Sequence, residues 1–244
     1  MIFVIGFLIA IAIGLTGVGG GTITVPVLLL FLHVEPSKTV GTALVFAAAV
    51  KLIVAPIYFY RREVNFRALG LMLLGGLPGL FMGLGFLQAA ARRGTLMLPI
   101  GILVVATAML SFIRIARRSA EPQCERLRWL PWVMLPVGAE VGFSSAGAGA
   151  IGSLALLNLT RLSVSEVAGT NILFGLVLSL VGGGVLIGQN IYDPAVLTQL
   201  TIGGVFGACV GPYFAAFVAP KLLRLALCVW LTVLGSVLCW HAAS

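Results

Sequence analysis

Apolar residues run along this chain in long stretches separated by short polar intervals. Eight stretches stand out, near 2–32, 38–60, 67–88, 95–114, 129–159, 166–188, 195–218 and 222–240. Most match the roughly 20 residues that a helix needs to cross about 30 Å of hydrocarbon. The apolar-polar alternation of a barrel strand is not seen. The pattern therefore predicts an all-α polytopic membrane protein. The first and fifth stretches differ from the rest. Each is about ten residues too long for one crossing, and each carries glycines near its middle: GLTGVGGG over 14–21 and GFSSAGAG over 142–149. Glycine costs a helix interior about 1 kcal/mol relative to alanine, so such a cluster predicts a break.

The two halves repeat. A shift of 128 positions lays Gly14, Gly19 and Gly21 on Gly142, Gly147 and Gly149. It also lays Gly41-Thr42 on Gly169-Thr170, Phe46 on Phe174, and Gly75, Gly79 and Gly83 on Gly203, Gly207 and Gly211. One ungapped shift serves all of these matches, which predicts a duplication of the kind common in transporters. The repeats are placed at 1–114 and 129–244, joined by a linker at 115–128. Gly75, Gly79, Gly83 and their counterparts recur every four residues, the spacing of a helix face packed closely on a neighbour.

The cations choose between two topologies. If all eight stretches cross, Lys and Arg of the loops divide eight to six between the two sides, which says little. If the first and fifth stretches fold back as re-entrant hairpins, Arg161, Lys221 and Arg224 join Arg61, Arg62, Arg67, Arg114, Arg117, Arg118, Arg126 and Arg128, leaving Lys38, Arg92 and Arg93 opposite. That excess marks the cytoplasmic side. Each half then makes three crossings, an odd number, so the repeats are expected to be inverted, with the linker cytoplasmic and both termini outside. The expected fold is two inverted repeats, each a glycine-broken re-entrant hairpin plus three transmembrane helices. A backbone broken in hydrocarbon leaves peptide groups to be satisfied by protein or a polar cavity. The second half-helix of each hairpin would present free N–H groups and a positive dipole end at mid-membrane, which favours an anion.

These residues resemble the sulfite exporter TauE/SafE family, also called TSUP. The resemblance rests on Gly17-Val-Gly-Gly-Gly21 followed by Pro26, on Val40-Gly-Thr-Ala-Leu44, and on the second copy at 142–149 with Ala168-Gly-Thr-Asn171. It covers nearly the whole chain. It implies transport of sulfur oxyanions or organosulfonates across the cytoplasmic (inner) membrane. The copies are not identical: Ser145 and Ala148 stand at the counterparts of Gly17 and Gly20, and Leu154 at that of Pro26.

Composition narrows the chemistry. Hydrophobic residues make up 60% of the 244 and charged residues 9%, far below the ~25% charge of soluble domains. The net charge of +8 sits in short loops and reports orientation rather than nucleic-acid binding. Cys124, Cys209, Cys228 and Cys239 lack metal-ligand spacing, and the sequence leaves the role of Cys209 open. His33 and His241 lie near segment ends, so neither a metal site nor a cofactor is expected. The expected partners are a small anionic substrate and the lipid bilayer. No phosphate-binding GxxxxGK[ST] loop appears, and no clustered carboxylates or histidines suggest an enzyme.

Few polar residues fall inside apolar stretches, and those few are candidates by default. Lys51 reads either as a counter-charge for the anion or as a lysine that snorkels to an interface. Glu140 could pair with Lys51, carry a coupling proton, or bind backbone at the broken helix. Thr16, Thr22, Thr42, Ser144, Ser145, Thr170 and Asn171 supply neutral donors, although some such hydroxyls bond back to their own helix. Thr42 and Thr170 are favoured because the duplication repeats them, and Asn171 because a side-chain amide needs partners in apolar surroundings. With Gly17, Gly19, Gly20, Gly21, Gly147 and Gly149 of the two tips, these residues and Lys51 form the expected substrate-binding set. The expected function is secondary transport of a small sulfur-containing anion, export being the expected direction, by alternating access around the paired tips. The alternative is a channel-like anion pore.

Overall fold

The computed structural model describes residues 2–16, 20–94, 96–116, 127–146, 148–214, 232–233 and 236–237. The described residues form nine α-helices and no strand. They are α1 (Ile2–Thr16), α2 (Gly20–Phe31), α3 (Pro36–Tyr60), α4 (Phe66–Arg93), α5 (Met97–Ala116), α6 (Leu130–Ser144), α7 (Ala150–Leu159), α8 (Val164–Gly188) and α9 (Pro194–Phe214). The stretch expected at 222–240 lies almost wholly outside the described residues, as do Arg117, Arg118, Arg126, Lys221, Arg224 and three of the cysteines.

Both overlong stretches are two helices. The first is α1 and α2, the fifth α6 and α7. At about 1.5 Å per residue, the 12 residues of α2 and 10 of α7 reach roughly half of a ~30 Å hydrocarbon layer. Helices α3, α4 and α8 are long and apolar enough to cross one; the described parts of α1, α2, α5 and α9 are shorter apolar helices. Local chemistry sets the ends. Asn65 caps α4 by accepting from Ala68 N at 3.0 Å, and Gly94 closes it with a left-handed φ of 67°. These caps extend α4 to Arg93, beyond the 67–88 that apolar pattern alone suggested. Ser163 and Glu166 form a reciprocal capping box at the start of α8, satisfying two orphan N–H groups.

The helices pack reciprocally. The two closest associations are α4 with α6 and α1 with α9; the 128-position shift carries α4 onto α9 and α6 onto α1. The match extends to single residues. Gly75 and Gly79 lie against the carbonyls of Pro131 and Leu135, while Gly203 and Gly207 lie against those of Phe3 and Phe7, the same pairs with the halves exchanged. A Cβ at any of these positions would collide with backbone, so the four-residue glycine rows are close-packing surfaces as their spacing suggested. In the centre, fully buried Phe46 of α3 fills the space over Gly204, and Phe174 of α8 that over Gly76. Outward faces carry exposed Leu74, Phe81, Phe86, Ile202 and Phe206, as a bilayer solvent requires.

Candidate functional site

The start of α2 meets the end of α6. Gly21, in the first turn of α2, abuts Ser145 so closely that a Cβ would run into the Ser145 backbone and hydroxyl. Ser145 ends α6 with φ 59°, its N–H donating to Val141 O at 2.8 Å. A left-handed conformation costs a non-glycine residue about 1–2 kcal/mol, yet serine stands here where the first copy has Gly17. Its Oγ is buried and has no hydrogen-bond partner. Beyond it the chain turns through Ala148 N–H···O Ala146 (3.1 Å) and enters α7, whose N-cap Gly149 offers no side-chain cap. The first N–H groups of α7 therefore start in the protein interior.

Lys51 of α3 is 7% exposed, and its Nζ donates to Ser179 Oγ of α8 at 3.2 Å. Ser179 is the residue that the 128-position shift lays on Lys51, so the two counterparts face each other across the centre. An added Cβ on Gly175 would stand 2.6 Å from Lys51 Nζ and 3.8 Å from Ala148 Cβ. The ammonium thus reaches the α6–α7 tip. Among the described residues, no carboxylate lies within ion-pairing distance of it; the ion pair found there is Lys38–Glu35. A buried cation in apolar surroundings needs a compensating charge or hydrogen bonds, and a serine hydroxyl supplies only one of these.

Asn171 fixes the same tip. Its Nδ2 donates to Gly149 O and to Ser153 Oγ, both at 3.0 Å, and Ser153 Oγ donates back to Gly149 O at 2.6 Å. The Gly149 carbonyl can only accept, so the amide nitrogen faces it and Oδ1 turns to Gly152, buried and without a partner.

Other expected site residues have local partners of their own. Thr42 Oγ1 accepts from Asp193 N at 3.0 Å, and Thr170 Oγ1 from Asn65 N at 2.9 Å; beside them Gly41 and Gly169 seat the carbonyls of Ile191 and Glu63. The duplicated Gly-Thr pairs therefore dock the turns that start α9 and α4. Ser144 Oγ bonds back to Glu140 O at 3.0 Å. Gly20 and Thr22 are buried in the first turn of α2. Gly17, Gly19 and Gly147 lie outside the described residues, as does the side chain of Thr16. The expected Glu140–Lys51 pair does not form. Glu140 projects from the opposite face of the tip helix, lining a cavity of about 780 Å³ between α4, α5 and α6 with Arg93, Phe86 and Phe143, and its Oε1 has no partner. Sequence reasoning passed over Ser179, Gly175 and Ser153. The signal for Ser179 was present, since it is the repeat counterpart of Lys51, the lysine midway along an apolar stretch.

The family model described as "Sulfite exporter TauE/SafE" matches residues 2–238. A probable membrane transporter protein of Bacillus subtilis (strain 168), YjnA, is 23% identical over 96% of this chain and 97% of its own. A second from the same organism, YdhB, is 26% identical over 98% and 99%, and a probable membrane transporter protein of Xylella fastidiosa (strain 9a5c) is 27% identical over 88% and 85%. No solved structure matches significantly.

Proposed function

The chain belongs to the sulfite exporter TauE/SafE family of membrane transporters, and from that premise we propose that it carries a small sulfur-containing anion out across the cytoplasmic membrane. Sulfite, thiosulfate and organosulfonates form the substrate class. The anion binds where the two helix breaks meet and is released to either side as the halves rock about them. The observation that carries this reading is Lys51, a buried ammonium whose one hydrogen-bond partner among the described residues is a neutral hydroxyl, set beside a tip without a side-chain cap. Hydroxyl and amide donors bind an oxyanion yet let it leave, as a carrier requires.

The halves act as inverted repeats. Reciprocal contacts between α4–α6 and α9–α1 support a two-fold relation, and three crossings after each re-entrant pair place the second half upside down. Both termini then lie outside and the 115–128 linker inside. Export down the membrane potential gains about 2.3 kcal/mol per charge per 100 mV. Glu140, with an oxygen lacking a partner in the α4–α5–α6 cavity, carries a coupled proton.

Proteoliposome counterflow tests this function. Labelled sulfite or sulfoacetate should exchange against unlabelled anion inside, with saturable kinetics; linear flux without exchange would favour a pore. Lys51→Ala should abolish exchange while the protein remains folded in the membrane, and unchanged kinetics would remove Lys51 from the site. Glu140→Gln should retain exchange and lose net transport driven by a pH gradient.

A further inference from the structure

The halves differ where the tips meet the central helices. At the first tip Gly20 packs on Ala47 of α3, an added Cβ standing 2.8 Å from the alanine methyl. The 128-position shift turns this pair into Ala148 and Gly175, so the methyl has changed sides. Charge follows the exchange. Lys51 Nζ occupies the space that a Cβ on Gly175 would need, next to Ala148. The counterparts of Lys51 and Gly175 are Ser179 and Ala47, a short neutral side chain matched with an alanine. Two further polar groups at the second tip have no equivalent at the first. Ser145, with its buried unpartnered Oγ, corresponds to Gly17, and Asn171, the clamp on Gly149, corresponds to Ala43.

Resting on the anion reading above, we propose that each chain has a single, off-centre anion seat, at the start of α7 between Lys51, Ser179 and Ser145, and that Gly175 determines it by admitting the ammonium. The α2 tip closes on this seat as a wall and is not a second seat. The ligand class is a compact oxyanion, because the seat offers an ammonium, hydroxyls and backbone N–H groups to it. The duplication gave two equivalent breaks, and the placing of one glycine and one lysine made one of them the binding end.

Gly175→Ala tests this directly. The added methyl would meet the far end of a flexible side chain rather than backbone, so α8 can accept it and the ammonium must move. Titration calorimetry of the purified full chain with sulfite and with thiosulfate should give one site per chain in the wild type. Gly175→Ala should weaken it at least tenfold with the melting temperature nearly unchanged, and Ala47→Gly should alter it less than twofold. Binding by Gly175→Ala as tight as wild type, or a stoichiometry of two, would overturn the single seat and leave the anion reading standing. No binding of either anion by the wild type would overturn both. Should Gly175→Ala fail to fold, Lys51→Ser/Ser179→Lys moves the ammonium to α8 with Gly175 intact. It should lose the anion and regain it when Ala47→Gly is added; binding with Ala47 in place would refute the proposal.

Discussion

At the scale of residues, the proposed site is a set of groups that apolar packing alone would not retain. Ser145 adopts a left-handed φ that glycine accepts more readily, and its hydroxyl finds no partner in return. Strain of this kind gathers at functional positions. Ser145→Gly should therefore raise unfolding stability by about 1 kcal/mol while weakening sulfite affinity, measured by thermal denaturation and calorimetry on one preparation. A variant that is no more stable and binds as before would show that the hydroxyl contributes to neither. Lys51 was legible in the sequence because a charge in an apolar stretch is conspicuous. Its direction was not, since a lysine stem can reach either way. The three-dimensional contact with Ser179, 128 positions away, decides it.

At the scale of elements, the breaks were readable from glycine clusters in stretches too long for one crossing, and both appear as separate helices. The threonines of the duplicated Gly-Thr pairs, expected among the substrate-binding residues because they repeat, also have a structural reason to repeat. Repetition reports that a position matters to both halves, and holding a turn matters to both. Thr42 and Thr170 each accept a backbone N–H at the entrance to a helix. Thr42→Val and Thr170→Val should each lower stability by about 1–3 kcal/mol by stranding a part-buried N–H, seen as lower melting temperatures in detergent. The glycine rows make a sharper case, because their neighbours are carbonyls of an adjacent helix. Gly79→Leu and Gly207→Leu should each cost 1–3 kcal/mol or more through overpacking. Equal costs for the two, read from parallel melts, would express the reciprocity of α4–α6 and α9–α1.

At the scale of the whole molecule, one packing scheme is used twice with the halves exchanged, and the charged departure from it, Lys51, stands at one tip. Lys51 with Gly175, Ser145 and Asn171 all stand at the α6–α7 break, and their repeat counterparts are Ser179, Ala47, Gly17 and Ala43. The orientation proposed from the loop cations has a direct test. Single cysteines at Asn190 and at Arg62 should be labelled by an impermeant thiol reagent from outside and inside respectively. The most direct measurement is anomalous scattering from crystals grown with selenite, the selenium analogue of sulfite. One selenium peak per chain is expected, beside Lys51 Nζ and Ser179 Oγ at the start of α7. A peak in the Glu140 cavity instead, or none at the meeting of the two breaks, would contradict a mid-membrane anion held by broken helices.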